Sequence, residues 1–305
     1  MSVLERSSRK RMYLGQDGNN LTRLILFLAI IFVLFKFVYI IFRIIDLTDD
    51  QYFTHIHDWA RLPSSPEKLM LKPWTIISYM FLHFKIWHFL GNLLWLWGFG
   101  YIFQDLIGNK RLVPVFIYGG VAGAVAFLLS YNLFPLFKPL ADVATLEGAS
   151  AGVMAIAIAT TAMAPNYRLF PMIYGGIPLW VFTIVFVLID FASIPSVNAG
   201  GHIAHLAGGA MGLLFSWQLK KGNDWAVWMN RLSDWAGNLF NPEKSGPRRI
   251  SKEEMFYKAK GQPYKKIPHV TPQRIDAILD KINQYGFDHL TEEAKEILRR
   301  ASESE

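Results

Sequence analysis

Six apolar stretches, at about 21–45, 86–104, 112–132, 150–164, 170–189 and 200–219, occupy most of the first two thirds of the chain. An α-helix crosses a hydrocarbon layer about 30 Å thick with roughly 20 apolar residues, each advancing about 1.5 Å. No water is available in that layer, so each segment must satisfy its own backbone N–H and C=O groups, and helices are the solution open to separate segments. The expected fold class is therefore all-α, a polytopic membrane protein with six transmembrane helices. Composition agrees: of 305 residues, 52% are hydrophobic and 18% charged, too apolar for an ordinary soluble domain.

Charge gives the orientation. The net charge is +7, but the basic residues flank apolar segments. The partner expected is the surface of an anionic lipid bilayer, with no nucleic acid. Arg6, Arg9, Lys10 and Arg11 precede the first apolar run, which is too long for a signal-peptide core and is followed by no small-residue cleavage site; it reads as a retained anchor. An even number of spans puts both ends on one side. Lys110, Arg111, Arg168, Lys220 and Lys221 fall on the same side as the N-terminal arm, which the excess of positive charge marks as cytoplasmic. Lys36, inside the first run, is expected to snorkel or face the bundle. The chain has no Cys, which removes disulfides, thiolate nucleophiles and zinc thiolate sites. Neither an H-E-x-x-H motif nor paired Asp residues at one depth in the spans is present, so no metal or cofactor is expected.

Polar residues inside spans are costly and mark candidate sites. Gly148-Ala149-Ser150-Ala151-Gly152 heads the fourth run. It sets one hydroxyl among small residues, and Gly148 with Gly152 forms a small-xxx-small pair suited to helix packing. His88 and Asn92, in the second run, are one turn apart on one helix face. In the sixth run His205 lies above Gly208 and Gly212, a smooth seam that needs a small-residue partner such as the stretch around Ser150. Depth ties the groups together: at about 1.5 Å per residue, Ser150 and His205 each lie roughly 22 Å above the cytoplasmic ends of their runs, with Asn92 at about 20 Å and His88 at about 25 Å. The fourth run is short, so the loop before Ser150 must dip inward and line protein or water. His202 rivals His205 as a base but lies a turn higher. His83, at the boundary of the second run, reads as structural.

These three motifs resemble those of the rhomboid family of intramembrane serine proteases: Gly148-Ala149-Ser150-Ala151-Gly152, Ala204-His205-x-x-Gly208-x-x-x-Gly212 and His88-x-x-x-Asn92. The resemblance covers roughly residues 21–221 and implies a six-transmembrane-helix rhomboid bundle that hydrolyses peptide bonds in or beside the transmembrane helices of other membrane proteins. It implies Ser150 as nucleophile and His205 as general base, a dyad with no carboxylate at that depth in the spans. It implies an oxyanion site made by the Ser150 N–H with His88 and Asn92. Where some relatives carry Tyr four residues after the nucleophile this chain has Met154, and where some carry Trp-Arg in the first outer loop it has Trp74-Thr75. The fifth span corresponds to the helix often proposed as the family's lateral gate. A pseudoprotease that binds transmembrane clients without cleaving them is the alternative, and a transporter is a weaker one.

The domain reading that follows is a basic cytoplasmic arm at 1–20, a membrane core at 21–221, an amphipathic helix in the cytoplasmic interface at 222–241, a basic linker at 242–270 and a small helical tail at 271–305. In the interfacial helix Trp225, Trp228, Leu232, Trp235 and Leu239 recur at helical spacing. In the tail, Ile275, Ile278, Leu279 and Ile282 are expected to face Leu290, Ile297 and Leu298, with the tail open to an unidentified cytoplasmic partner. The expected location is a bacterial inner membrane with both termini in the cytoplasm.

Overall fold

A computed structural model describes residues 18–170, 172, 175–194, 198–239 and 271–302. The chain divides into two compact units, Met1–Phe240 and Asn241–Glu305. The arm up to residue 17 and the linker at 242–270 lie outside the described residues.

In the first unit α1 spans Asn20–Ile44, α2 Asp49–His55, α3 Pro66–Leu71, α4 Thr75–Ser78 and α5 Ile86–Leu106. It continues with α6 over Leu112–Leu133, α7 over Ser150–Met163, α8 over Leu179–Ala192, α9 over Ala199–Lys220 and α10 over Ala226–Leu239. Two helical stretches are long and apolar enough to cross a membrane by length and composition, Asn20–Ile44 and Asn109–Leu133, while α7 and α8 are apolar but shorter. At 14 residues each, α7 and α8 reach about 21 Å, less than the hydrocarbon thickness of about 30 Å.

Small residues decide the packing. A Cβ on Gly119 of α6 would stand 2.3 Å from the Ala155 Cβ, and one on Gly123 would stand 2.7 Å from the Ala151 Cβ. On α9, a Cβ on Gly208 would fall 2.2 Å from the Ala151 carbonyl oxygen and one on Gly212 would fall 2.1 Å from that of Ala155. The backbones of α6 and α9 therefore close on α7 from two sides. Ala151, Met154, Ala155 and Ile156 are accordingly buried, so α7 is the central post of the bundle.

Between α1 and α5 the chain folds into short helices and one strand. Strand β1 (Leu62–Pro63) pairs antiparallel with β2 (Thr145–Leu146), with Leu62 opposite Leu146. The loop between α1 and α5 is thus strapped to the segment that leads into Ser150. Trp74, in the loop whose Trp-Arg pair is absent, stacks on Trp59 with centroids 6.0 Å apart and donates its indole N–H to the Trp59 carbonyl at 2.8 Å. Lys36 faces inward, its ammonium 3.8 Å from the Phe84 ring centroid, a cation–π contact that compensates part of its lost hydration.

The fifth run departs from expectation. Its helix begins at Leu179, not near residue 170, because Pro178 takes the N-cap position and Gly175 and Gly176 adopt φ of +80° and +90°. Prolines and left-handed glycines do not continue a helix. A short hairpin replaces it, with β3 (Arg168–Leu169) paired to β4 (Ile177–Pro178).

Helix α10 is docked beside α6 by the Arg111–Asp224 ion pair at 2.7 Å and by the Tyr118 hydroxyl, which donates to the Trp225 carbonyl at 2.8 Å. Trp228, Leu232, Trp235 and Leu239 stay exposed along it.

In the second unit α11 spans Pro272–Tyr285 and α12 spans Glu292–Ser302. Pro272 opens α11 at its first position, and Gly286, at φ +84°, ends it, following the usual asymmetry of helix ends. Ile278, Leu290 and Ile297 form its core, with Ile275, Ile282 and Leu298 packed around them. Leu279 does not join them and is 49% exposed. Ile275, Ile278 and Ile282 already complete a stripe at spacings of three and four, which turns Leu279 off its edge.

Candidate active site

Ser150 is the first residue of α7 and His205 is the seventh of α9, nearly two turns in. The clash-tight seam between Gly208 and Ala151 holds these two residues at one level. The Ser150 Oγ is 2.6 Å from the His205 Nε2. On the far side of the ring, His205 Nδ1 is 3.0 Å from Asp190 Oδ1. A carboxylate can only accept, so Nδ1 carries the hydrogen and Nε2 is left to accept from the serine hydroxyl. The His202 and His205 side chains keep some exposure, 20% and 14%.

Asp190 corrects the sequence reading, which saw no carboxylate at this depth. It sits near the end of α8, is buried, and bonds His202 Nδ1 at 2.7 Å as well as His205. With the fifth run ending at residue 189, Asp190 fell just outside it; the later start of α8 puts Asp190 within its last turn. His202 is therefore not the partner of Ser150 but shares the carboxylate with the residue that is. Asp190, His202 and His205 offer ligand atoms within 4.8 Å of one another, a set that could hold a divalent ion, though in this arrangement the Nδ1 atoms are engaged with Asp190.

Gly148 also differs from expectation. It lies before α7 with φ of +122°, and a Cβ there would stand 2.7 Å from His88 Cε1. It serves a tight turn and the close approach of the His88 ring, not helix packing. Gly152 does pack between helices, but against Phe116 of α6 rather than α9.

Asn92 is buried on α5, and its Nδ2 donates to His83 Nε2 at 2.9 Å; the Ala149 N–H donates to the same nitrogen at 3.2 Å. His83 thus orients the Asn92 amide and the turn before Ser150, a role its boundary position did not reveal. It acts as a neutral acceptor because burial, and then the neighbouring His88, push its pKa down to about 3. His88 stacks edge-on to His83 with centroids 5.3 Å apart.

The loop into the site is pinned by Glu147. One carboxylate oxygen meets His57 Nε2 at 2.6 Å and Arg61 Nε at 3.3 Å, and the other accepts the Phe84 N–H at 3.2 Å. Burial works to raise the Glu147 pKa, but the hydrogen bond and charge of His57, the charge of Arg61 and the backbone bond outweigh it and hold it below the usual carboxylate value. Glu147 stands outside the three motifs, and no local pattern marks it.

Residues 71–222 match the family model described as the Rhomboid domain. The chain is similar to "Rhomboid protein 1, mitochondrial" of Saccharomyces cerevisiae, at 28% identity over 159 residues that make up 48% of this chain and 42% of that protein. It is similar to "Rhomboid-related protein 1" of Caenorhabditis elegans at 29% over 166 residues, 49% of this chain and 41% of that one. It is also similar to "Rhomboid protease GlpG" of Klebsiella pneumoniae at 30% over 90 residues, 24% of this chain and 32% of that one. The chain thus spans less than half the length of each of these relatives. The matched domain contains the Ser150, His205, His88 and Asn92 motifs, and on that basis the chain belongs to the rhomboid family, whose members are integral membrane proteins.

Proposed function

We propose that this chain is an intramembrane serine endopeptidase that cleaves peptide bonds in or next to the transmembrane segments of other membrane proteins. The observation that carries the reading is the 2.6 Å contact between Ser150 Oγ and His205 Nε2, with the imidazole in the tautomer that accepts a proton. As a carbonyl carbon is attacked by Ser150 Oγ, the hydroxyl proton passes to His205 Nε2; that nitrogen then protonates the leaving amine. Water, activated by the same nitrogen, hydrolyses the acyl-enzyme. The first N–H groups of α7 have no acceptor within the helix, and that end of the helix favours negative charge. The Ser150 N–H, the His88 ring and the Asn92 amide are the proposed donors to the oxyanion, each worth about 3 kcal/mol in comparable sites.

The six-span arrangement belongs to the same proposal, with α1, α5, α6, α7, α8 and α9 as the spans and the dipping loop before Ser150 pinned by Glu147. Support for a common cytoplasmic end comes from Lys220 of α9, whose ammonium donates to the Ala162 carbonyl of α7 at 2.7 Å, and from Arg111 at the start of α6, paired with Asp224. Both termini are accordingly assigned to the cytoplasm. The test is cleavage of a transmembrane reporter by the full chain in liposomes, wild type against Ser150→Ala. Cleavage lost in the variant is the expected result. Equal cleavage by both overturns the hydrolase, and cleavage by neither, with the reporter still bound, supports a client-binding protein instead.

A further inference from the structure

Asp190 is a buried carboxylate in an apolar helix, a placement expensive enough to require partners or a role. Its Oδ1 receives two imidazole N–H groups, from His202 at 2.7 Å and His205 at 3.0 Å. Its Oδ2 is enclosed and, among the described residues, has no hydrogen-bond partner. Both contacts fall on the oxygen turned to the histidines, and both come from α9, leaving an unpaired buried oxygen that calls for an explanation.

The helix that carries it turns most of its side chains away from the bundle. Of its 14 residues only Leu179, Thr183 and Asp190 are buried. Thr183 shares a 2.6 Å hydroxyl contact with Thr161 of α7, and Phe186 stacks on Trp95 of α5 at 4.7 Å. Asp190 ties the end of α8 to α9 through two imidazoles, His202 and the His205 that faces Ser150, with Ile194 packed against the core just beyond it.

We propose that Asp190 is a positioning residue which locks the tautomer and orientation of His205, so that the base is competent only while α8 is seated against α9. This rests on the serine-protease reading above and adds regulation to it. Displacing the end of α8 withdraws Asp190 and loosens the imidazole. Reseating α8 restores the line from Asp190 through His205 to Ser150. The residue touches no reacting atom; it acts through His205, keeping the hydrogen on Nδ1 and stabilising the ring when it becomes charged.

The test measures kcat and KM of the full chain in liposomes for Asp190→Asn, with Ser150→Ala alongside and thermal unfolding recorded for each. Asparagine keeps the shape and removes the charge that stabilises the imidazolium, while its amide oxygen, with no bond fixing the other terminal atom, can still accept the Nδ1–H. The expected result is a fall in kcat of about 10²–10⁴-fold, with KM within about threefold of wild type and a matching fall in the rate of fluorophosphonate labelling of Ser150. An Asp190→Asn variant within twofold of wild type in kcat overturns the proposal. A second measurement does not depend on that variant folding: the wild-type chain is expected to show a downfield proton resonance for the His205 Nδ1–H, retained in His202→Gln and lost in His205→Gln. Its absence from the wild type also overturns the proposal. If Ser150→Ala cleaves like wild type, the protease reading itself has failed; if Ser150→Ala is inert and Asp190→Asn is fully active, only the present inference has.

Discussion

Gly208→Ala is the sharpest test of how the helix seam sets the site. The added Cβ would stand 2.2 Å from the Ala151 carbonyl oxygen, 2.8 Å from its carbon and 3.0 Å from its Cα, all backbone atoms of the residue that follows Ser150. Ordinary contact begins at 3.4 Å, so α7 and α9 must separate by about 1.2 Å. No side chain can rotate away to absorb this, and His205 is less than one turn from the point of contact. If the separation is passed to the Ser150–His205 contact of 2.6 Å, it exceeds the reach of a hydrogen bond. Misplacement by about 1 Å costs on the order of 10²-fold in rate, and overpacking costs about 1–3 kcal/mol in stability. The assay is cleavage of a transmembrane reporter in detergent together with thermal unfolding. The control is Gly98→Ala on α5, where nothing lies within 4 Å of the new Cβ, expected to match wild type within twofold. Gly208→Ala with more than half the wild-type kcat/KM and an unchanged Tm would show that the seam does not set the site.

Three further outcomes follow from the turn and loop that hold Ser150. Gly148→Ala forces an L-residue to φ of +122° and drives a methyl to 2.7 Å from the His88 ring; a strain of about 1–3 kcal/mol and at least a tenfold loss of kcat are expected, read by cleavage and unfolding. His83→Ala leaves the buried Ala149 N–H and the Asn92 amide without their shared acceptor, costing about 1–3 kcal/mol and lowering kcat; an unaltered Tm and rate would remove His83 from the account. Glu147 has a folded pKa below its ordinary 4.5, so its contribution to stability is complete above that value and disappears as pH falls through the lower folded value. Wild type should therefore exceed Glu147→Gln in Tm at neutral pH, and the gap should close on acidification below about 4.5; a gap independent of pH between 3 and 7 would refute it.

Local pattern carries information that needs no tertiary context. Apolar periodicity locates a helix wherever the chain lacks breakers, and so α5, α6, α7 and α9 begin and end within a few residues of their runs. The three motifs were legible because each is short and lies on a single helix or its leading turn. Gly208 and Gly212 announced a close partner because a missing side chain has the same effect in any fold. Periodicity failed where chain breakers outweighed apolar character, at residues 170–178, and where a stripe was already complete, at Leu279. Gly148 fitted a packing pattern by spacing alone, and only its φ shows that it belongs to a turn.

From the sequence itself come an apolar helical bundle, the residues of the three family motifs, and the seam of small residues that lets two helices meet. The three-dimensional fold alone decided that Asp190 stands behind His205, that His83 gathers Asn92 and Ala149, and that Glu147 ties the first loop to the approach to Ser150. Each of these joins residues far apart in the chain, and a hydrogen bond is made or lost over less than an ångström. Such distances follow from how whole helices seat against one another, which no local pattern encodes.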